Sequence, residues 1–141
     1  MLAACDHHSC TDIGCMQSAT LRFRTPLSEA GEYRLRAIID GTSFECTAFV
    51  PLRRDGSEPV CETMFVNRQE ITTRTDDAVT GRAGDPITSV SFTGDIGSIA
   101  LTVTRDGVEL LSTEVSPEYR GVEINGEGCG ECPMAEHTIG E

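Results

Sequence analysis

Cysteine and histidine are the residues of this chain best suited to chemistry, and most of them crowd into its two ends. Cys5, His7, His8, Cys10 and Cys15 lie near the start, Cys129, Cys132 and His137 near the end, with Cys46 and Cys61 between. Cys129-x-x-Cys132 has the ligand spacing of a zinc site, and His7, His8 and His137 would complete a tetrahedral set if the termini meet. Adjacent histidines also suit copper. The same Cys-x-x-Cys spacing occurs in thiol–disulfide oxidoreductases, which lower a thiol pKa at a helix N-terminus. Here the pair sits among Gly128, Gly130 and Pro133 in a chain with no helical periodicity. Seven cysteines in 141 residues indicate an oxidising compartment, where thiols pair rather than bind metal. Disulfide bonding is therefore the expected role. Metal binding through His7, His8, Cys129, Cys132 and His137 is the alternative, and thiol–disulfide exchange a second one.

The spacing of the cysteines suggests how they divide. Cys46 and Cys61 stand fifteen residues apart across a charged loop, and closing such a loop contributes about 3 kcal/mol in the chain-entropy model. They are expected to pair. Cys10 and Cys15 with Cys129 and Cys132 would then tie the two ends together, in a connectivity that sequence leaves open. The odd cysteine is Cys5. Leu2-Ala3-Ala4-Cys5 resembles a bacterial lipobox, in which small residues precede a cysteine that is acylated after signal cleavage. The basic and apolar segments that lead into a lipobox are expected upstream of Met1.

Composition excludes several classes of partner. The net charge is −12, from 23 acidic residues against 11 basic ones, all arginine. Nucleic-acid binding, which needs a basic face, is not expected. No stretch approaches the roughly 20 apolar residues of a spanning helix. The chain has no Gly-x-Ser-x-Gly elbow, phosphate-binding loop or His-Glu-x-x-His. Its histidines lie in the tails, a poor place to position a general base. Neither an enzyme nor a cofactor is expected. The acidic turns at Asp55-Gly56-Ser57-Glu58, Asp76-Asp77, Asp95 and Asn125-Gly126-Glu127 read as turn chemistry rather than calcium loops.

The elements that position these residues read as strands. Ile99–Val115 alternates towards Asp106-Gly107, the signal for a hairpin with a two-residue type I′ turn. Past Leu110 the apolar set switches to Leu111 and Val115, which predicts a β-bulge at Leu110-Leu111. Asp40-Gly41 marks a second hairpin. Its register sets Ala37 opposite Phe44, Leu35 opposite Cys46 and Tyr33 opposite Ala48, all on one apolar face. Further strands are expected at Ser18–Arg24, Val60–Val66, Ile87–Phe92, Pro117–Ile124 and Ala135–Ile139, with Asn67–Pro86 a long loop or weak edge. Arg22, Arg24, Arg34 and Arg36 fall on the outer faces of two strands expected to be neighbours, a patch that an anionic glycan or a protein would fit.

Taken together, Cys5, Gly31-Glu32-Tyr33, Asp40-Gly41, Cys46, Thr104-Arg105-Asp106-Gly107, Pro117-Glu118-Tyr119 and Asn125-Gly126-Glu127-Gly128-Cys129-Gly130 occur in a characteristic order. That order resembles the small lipoproteins of myxobacteria and related bacteria. The resemblance spans most of the chain and implies location and architecture, but no activity. Residues 1–17 are expected to form a lipobox remnant and polar tether, and residues 18–141 a single all-β sandwich of the immunoglobulin-like, Greek-key type. Seven to nine antiparallel strands stapled by disulfides are expected. The expected function is that of a cell-envelope lipoprotein, acting as a non-catalytic binding or structural module. Its membrane contact would be an acyl anchor on Cys5, and its partner an envelope protein or glycan.

Overall fold

The computed structural model of the protein describes residues 16–53, 61, 63–69, 72–74, 79–82, 86–123 and 130–140. Among these, eleven strands form: β1 (Ser18–Leu27), β2 (Gly31–Ile39), β3 (Thr42–Val50), β4 (Met64–Arg68), β5 (Thr72–Arg74), β6 (Val79–Arg82), β7 (Ile87–Thr93), β8 (Ile99–Arg105), β9 (Val108–Val115), β10 (Arg120–Val122) and β11 (Cys132–Ile139). The larger sheet has five strands in the order β10-β11-β1-β7-β4, the smaller has four in the order β3-β2-β8-β9, and β5-β6 is a separate ribbon. The described residues contain no helix.

The two sheets meet because each strand buries every second side chain. Ala19, Leu21 and Phe23 on β1, Val90 and Phe92 on β7, Tyr33, Leu35 and Ala37 on β2, and Ile99, Leu101 and Val103 on β8 belong to one buried cluster. The hairpins β2–β3 and β8–β9 lie side by side in the smaller sheet, while β4 and β7 return to β1 in the larger. This is the Greek-key connectivity of an immunoglobulin-like sandwich. The position beside β1 that the first strand of that fold normally fills is taken by β11, which runs parallel to β1 from Ser18↔Met134 to Phe23↔Ile139. The sheets are thus antiparallel except for this one pairing among the described strands.

The β2–β3 hairpin has the expected register, and the β8–β9 hairpin the expected bulge. In β2–β3, Ala37 pairs with Phe44, Leu35 with Cys46 and Tyr33 with Ala48. The turn residues have φ 47° at Asp40, 91° at Gly41, 49° at Asp106 and 85° at Gly107, the positive pair that type I′ requires. In β8–β9, Thr104 pairs with Glu109 but Val103 with Leu111. Leu110 is therefore the extra residue of a bulge, and Leu111, Thr113 and Val115 return to the inner face.

Several expectations are corrected. The four arginines do not share a patch: Arg22 and Arg24 project from β1 in the larger sheet, Arg34 and Arg36 from β2 in the smaller. The connection at residues 28–30 is a corner between sheets, not a hairpin, and the Tyr33 hydroxyl secures it by donating to the Glu29 carbonyl at 2.6 Å. Arg22 pairs with Glu136 at 2.5 Å, and Arg34 with Glu32 at 3.5 Å. Cys61 precedes its strand instead of lying on it, since β4 begins at Met64, whose side chain is the first to enter the core. Of 67–86, expected as a long loop or weak edge, part forms the separate β5–β6 ribbon. β10 is only three residues long, and β11 begins at Cys132 rather than at Ala135.

Candidate binding cleft

Among the described residues, the sequence-level candidates Cys46, Cys61, Cys132 and His137 are not gathered at one place. Cys46 projects inward from β3 and is bonded to Cys61, with Cα atoms 5.5 Å apart. That pairing is the expected one. Cys132 opens β11, is 1% exposed and is disulfide-bonded, so it offers no thiolate to a metal. Cys5, Cys10, Cys15, Cys129, His7 and His8 lie outside the described residues. His137 accepts the Glu118 backbone N–H at Nε2, at 3.2 Å. It lies five residues beyond Cys132 on the same strand, hence on the opposite face. Among the described residues no three His, Cys, Asp or Glu side chains converge as metal ligands. Of the acidic turns, Asp95 accepts from the Gln17 amide at 3.3 Å.

A concave site arises instead where three separated elements meet at one end of the sandwich. The β1–β2 corner contributes Phe23, Leu27 and Tyr33; the β8–β9 hairpin contributes Arg105, Leu110 and Leu111; the end of β11 contributes Ile139. The cleft between them has a volume of about 480 Å³, within the range of small ligand sites. Its walls are aliphatic and aromatic, with a polar cluster at the corner. There the Arg105 guanidinium pairs with the Glu29 carboxylate and the Tyr33 hydroxyl, and these hydrogen bonds, the one to Tyr33 foremost, raise its pKa above the usual arginine value. The Tyr33 hydroxyl donates in turn to the Glu29 carbonyl.

The bulge adds Leu110 to the cleft beside Leu111. On a regular strand consecutive side chains point to opposite faces, yet Leu110 and Leu111 both line the cleft. A bulge re-aims a side chain in this way, and the Leu110-Leu111 doublet is the one sequence signal that pointed towards the site. Arg105 and Glu29 carried no such signal, because each is an ordinary turn-proximal charge until the corner brings them together. No protein-family model matches the sequence, and no curated protein or solved structure is significantly similar to it.

Proposed function

We propose that the protein is a cell-envelope lipoprotein, acylated at Cys5, whose β-sandwich acts as a non-catalytic binding module. The observation that carries this reading is the Cys46–Cys61 disulfide, with Cys132 oxidised as well. Bonds of this kind persist in the periplasm or outside the cell and are rare in a reducing cytosol. The cleft supports the binding role, being concave and apolar with one positioned charge pair.

The course of β1 adds an orientation. The strand enters at Ser18 and reaches the cleft with Phe23 and Leu27. An anchor at Cys5 therefore joins the end of the sandwich remote from the cleft. The test is expression from the natural coding region with an alkyne-labelled fatty acid, followed by membrane fractionation. Label on the wild type that disappears in Cys5→Ser, together with a membrane-bound chain lacking free thiols, is the expected result. An unlabelled cytosolic chain with reduced cysteines would overturn the reading.

A further inference from the structure

We propose that the free edge of β9 is a docking site for an extended peptide segment of a partner protein, one that alternates apolar and basic residues. This rests on the binding-module reading but not on the acyl anchor. β9 is terminal in the smaller sheet, so one of its edges has no strand partner among the described residues. Such an edge presents unpaired N–H and C=O groups, a ready template for strand addition. The other edge of that sheet, on β3, is partly engaged: Cys46 is bonded to Cys61, and the Arg68 guanidinium donates to the Phe49 carbonyl at 2.8 Å.

The side chains of β9 define the chemistry of the added strand. Val108, Leu111, Thr113 and Val115 pair with residues of β8 that face inward, whereas Glu109, Ser112 and Glu114 pair with residues that face outward. The inward row is incompletely covered, with Val108 63% exposed, and the bulged Leu110, 41% exposed, lines the cleft. A strand laid along this edge would place alternate apolar side chains over Leu110, Leu111 and the cleft. Its remaining side chains would stand beside Glu109 and Glu114, in a protein of net charge −12, and cations are favoured there. A second copy of this chain fits poorly. Pairing two β9 strands antiparallel over their full length sets Glu109 against Glu114 at both ends, and like charges directly opposite repel.

The test uses the whole oxidised chain with three acetylated, amidated octapeptides: alternating Val-Lys, alternating Val-Glu, and Val-Lys with two valines replaced by proline. Calorimetry is expected to detect the Val-Lys peptide alone, more weakly as salt is raised, with amide-exchange protection concentrated on residues 111–115. The double charge reversal E109K/E114K should weaken it by about tenfold and admit the Val-Glu peptide. If that variant fails to fold, E114K should lower affinity by about threefold. Three results would each overturn the proposal. They are equal binding of all peptides, protection located on another edge, and β9 amides already protected without peptide by a second copy or another segment of the chain. Sedimentation equilibrium distinguishes those last two cases. Failure here leaves the acyl-labelling result, and with it the envelope reading, untouched.

Discussion

Asp40 and Asp106 sit at opposite ends of the β2–β8 pair, and each clasps the strand that the other one closes. The Asp40 carboxylate accepts the Gly97 and Ser98 N–H groups at 3.1 and 2.9 Å, while its own N–H donates to the Ser98 carbonyl at 3.2 Å. The Asp106 carboxylate accepts the Glu32 N–H at 3.0 Å, and its N–H donates to the Glu32 carbonyl at 2.8 Å. Each aspartate thus closes a type I′ turn and caps the neighbouring strand's first residues. The arrangement pins both ends of the seven-pair ladder between β2 and β8.

Glycine at either position separates the two roles, because it keeps the positive φ and removes the carboxylate. Asp40→Gly and Asp106→Gly should each lower unfolding free energy by about 1 kcal/mol. Alanine should cost about 1 kcal/mol more, since it must also adopt the left-handed region. The sites lie roughly 20 Å apart along the strands, so D40G/D106G should be additive within about 0.5 kcal/mol. Urea midpoints measure all of these, and a coupling above that limit would contradict two independent clasps.

Gly31 is where the Asp106 clasp passes closest to the backbone. A Cβ there would lie 2.7 Å from Asp106 Oδ2 and 2.8 Å from Arg105 Cγ. Gly31→Ala is expected to cost about 1–3 kcal/mol. Because Asp106→Gly removes one of the clashing atoms, the G31A/D106G double variant should lose less than the sum of the single variants. Thermal unfolding of the four proteins closes the cycle.

The disulfide gives a simpler comparison. C46A/C61A should unfold with about 3 kcal/mol less stability than the wild type through loss of the loop constraint. Cys46 is buried, so its truncation adds to that loss. Guanidinium melts of oxidised wild type and the double variant provide the figure. Equal midpoints would show that the bond contributes nothing to the folded body.

Tyr119 holds the loop before β8. Its hydroxyl donates to the Gly94 carbonyl at 3.2 Å and accepts the Ile96 N–H at 3.1 Å. Tyr119→Phe should cost about 1 kcal/mol and raise the amide-exchange rate at Ile96, whereas exchange at Glu32, clasped by Asp106 at the far end, should be unchanged. A global increase in exchange would assign Tyr119 a wider role than this local one.

What could be read from the sequence was set locally. A two-residue loop at Asp40-Gly41 fixes the register of the strands beside it, so Leu35 and Cys46 could be paired on paper. The bulge at Leu110 was legible because an extra residue breaks a period-two pattern visible over a few positions. The crossing at residues 28–30 was not, since so short a connection suits a hairpin and a sheet-to-sheet corner equally. The misplaced arginine patch followed from that ambiguity. Nor did the clasps leave a mark, because an aspartate before glycine is already accounted for by its turn. The cleft joins Phe23, Leu111 and Ile139, residues brought together only by pairing across both sheets.

The place of β11 has a consequence for how the chain matures. Arg22 meets Glu136 across a separation of 114 residues, so β1, the first of the described strands, acquires its parallel neighbour only after β2–β10 have emerged. Contacts of such span are slow to form. Until then the flank of β1 stays open, and a nascent chain halted short of Cys132 would expose Ala19, Leu21 and Phe23 along that side. The larger sheet is therefore completed late, by a strand that must find its neighbour across the whole intervening body.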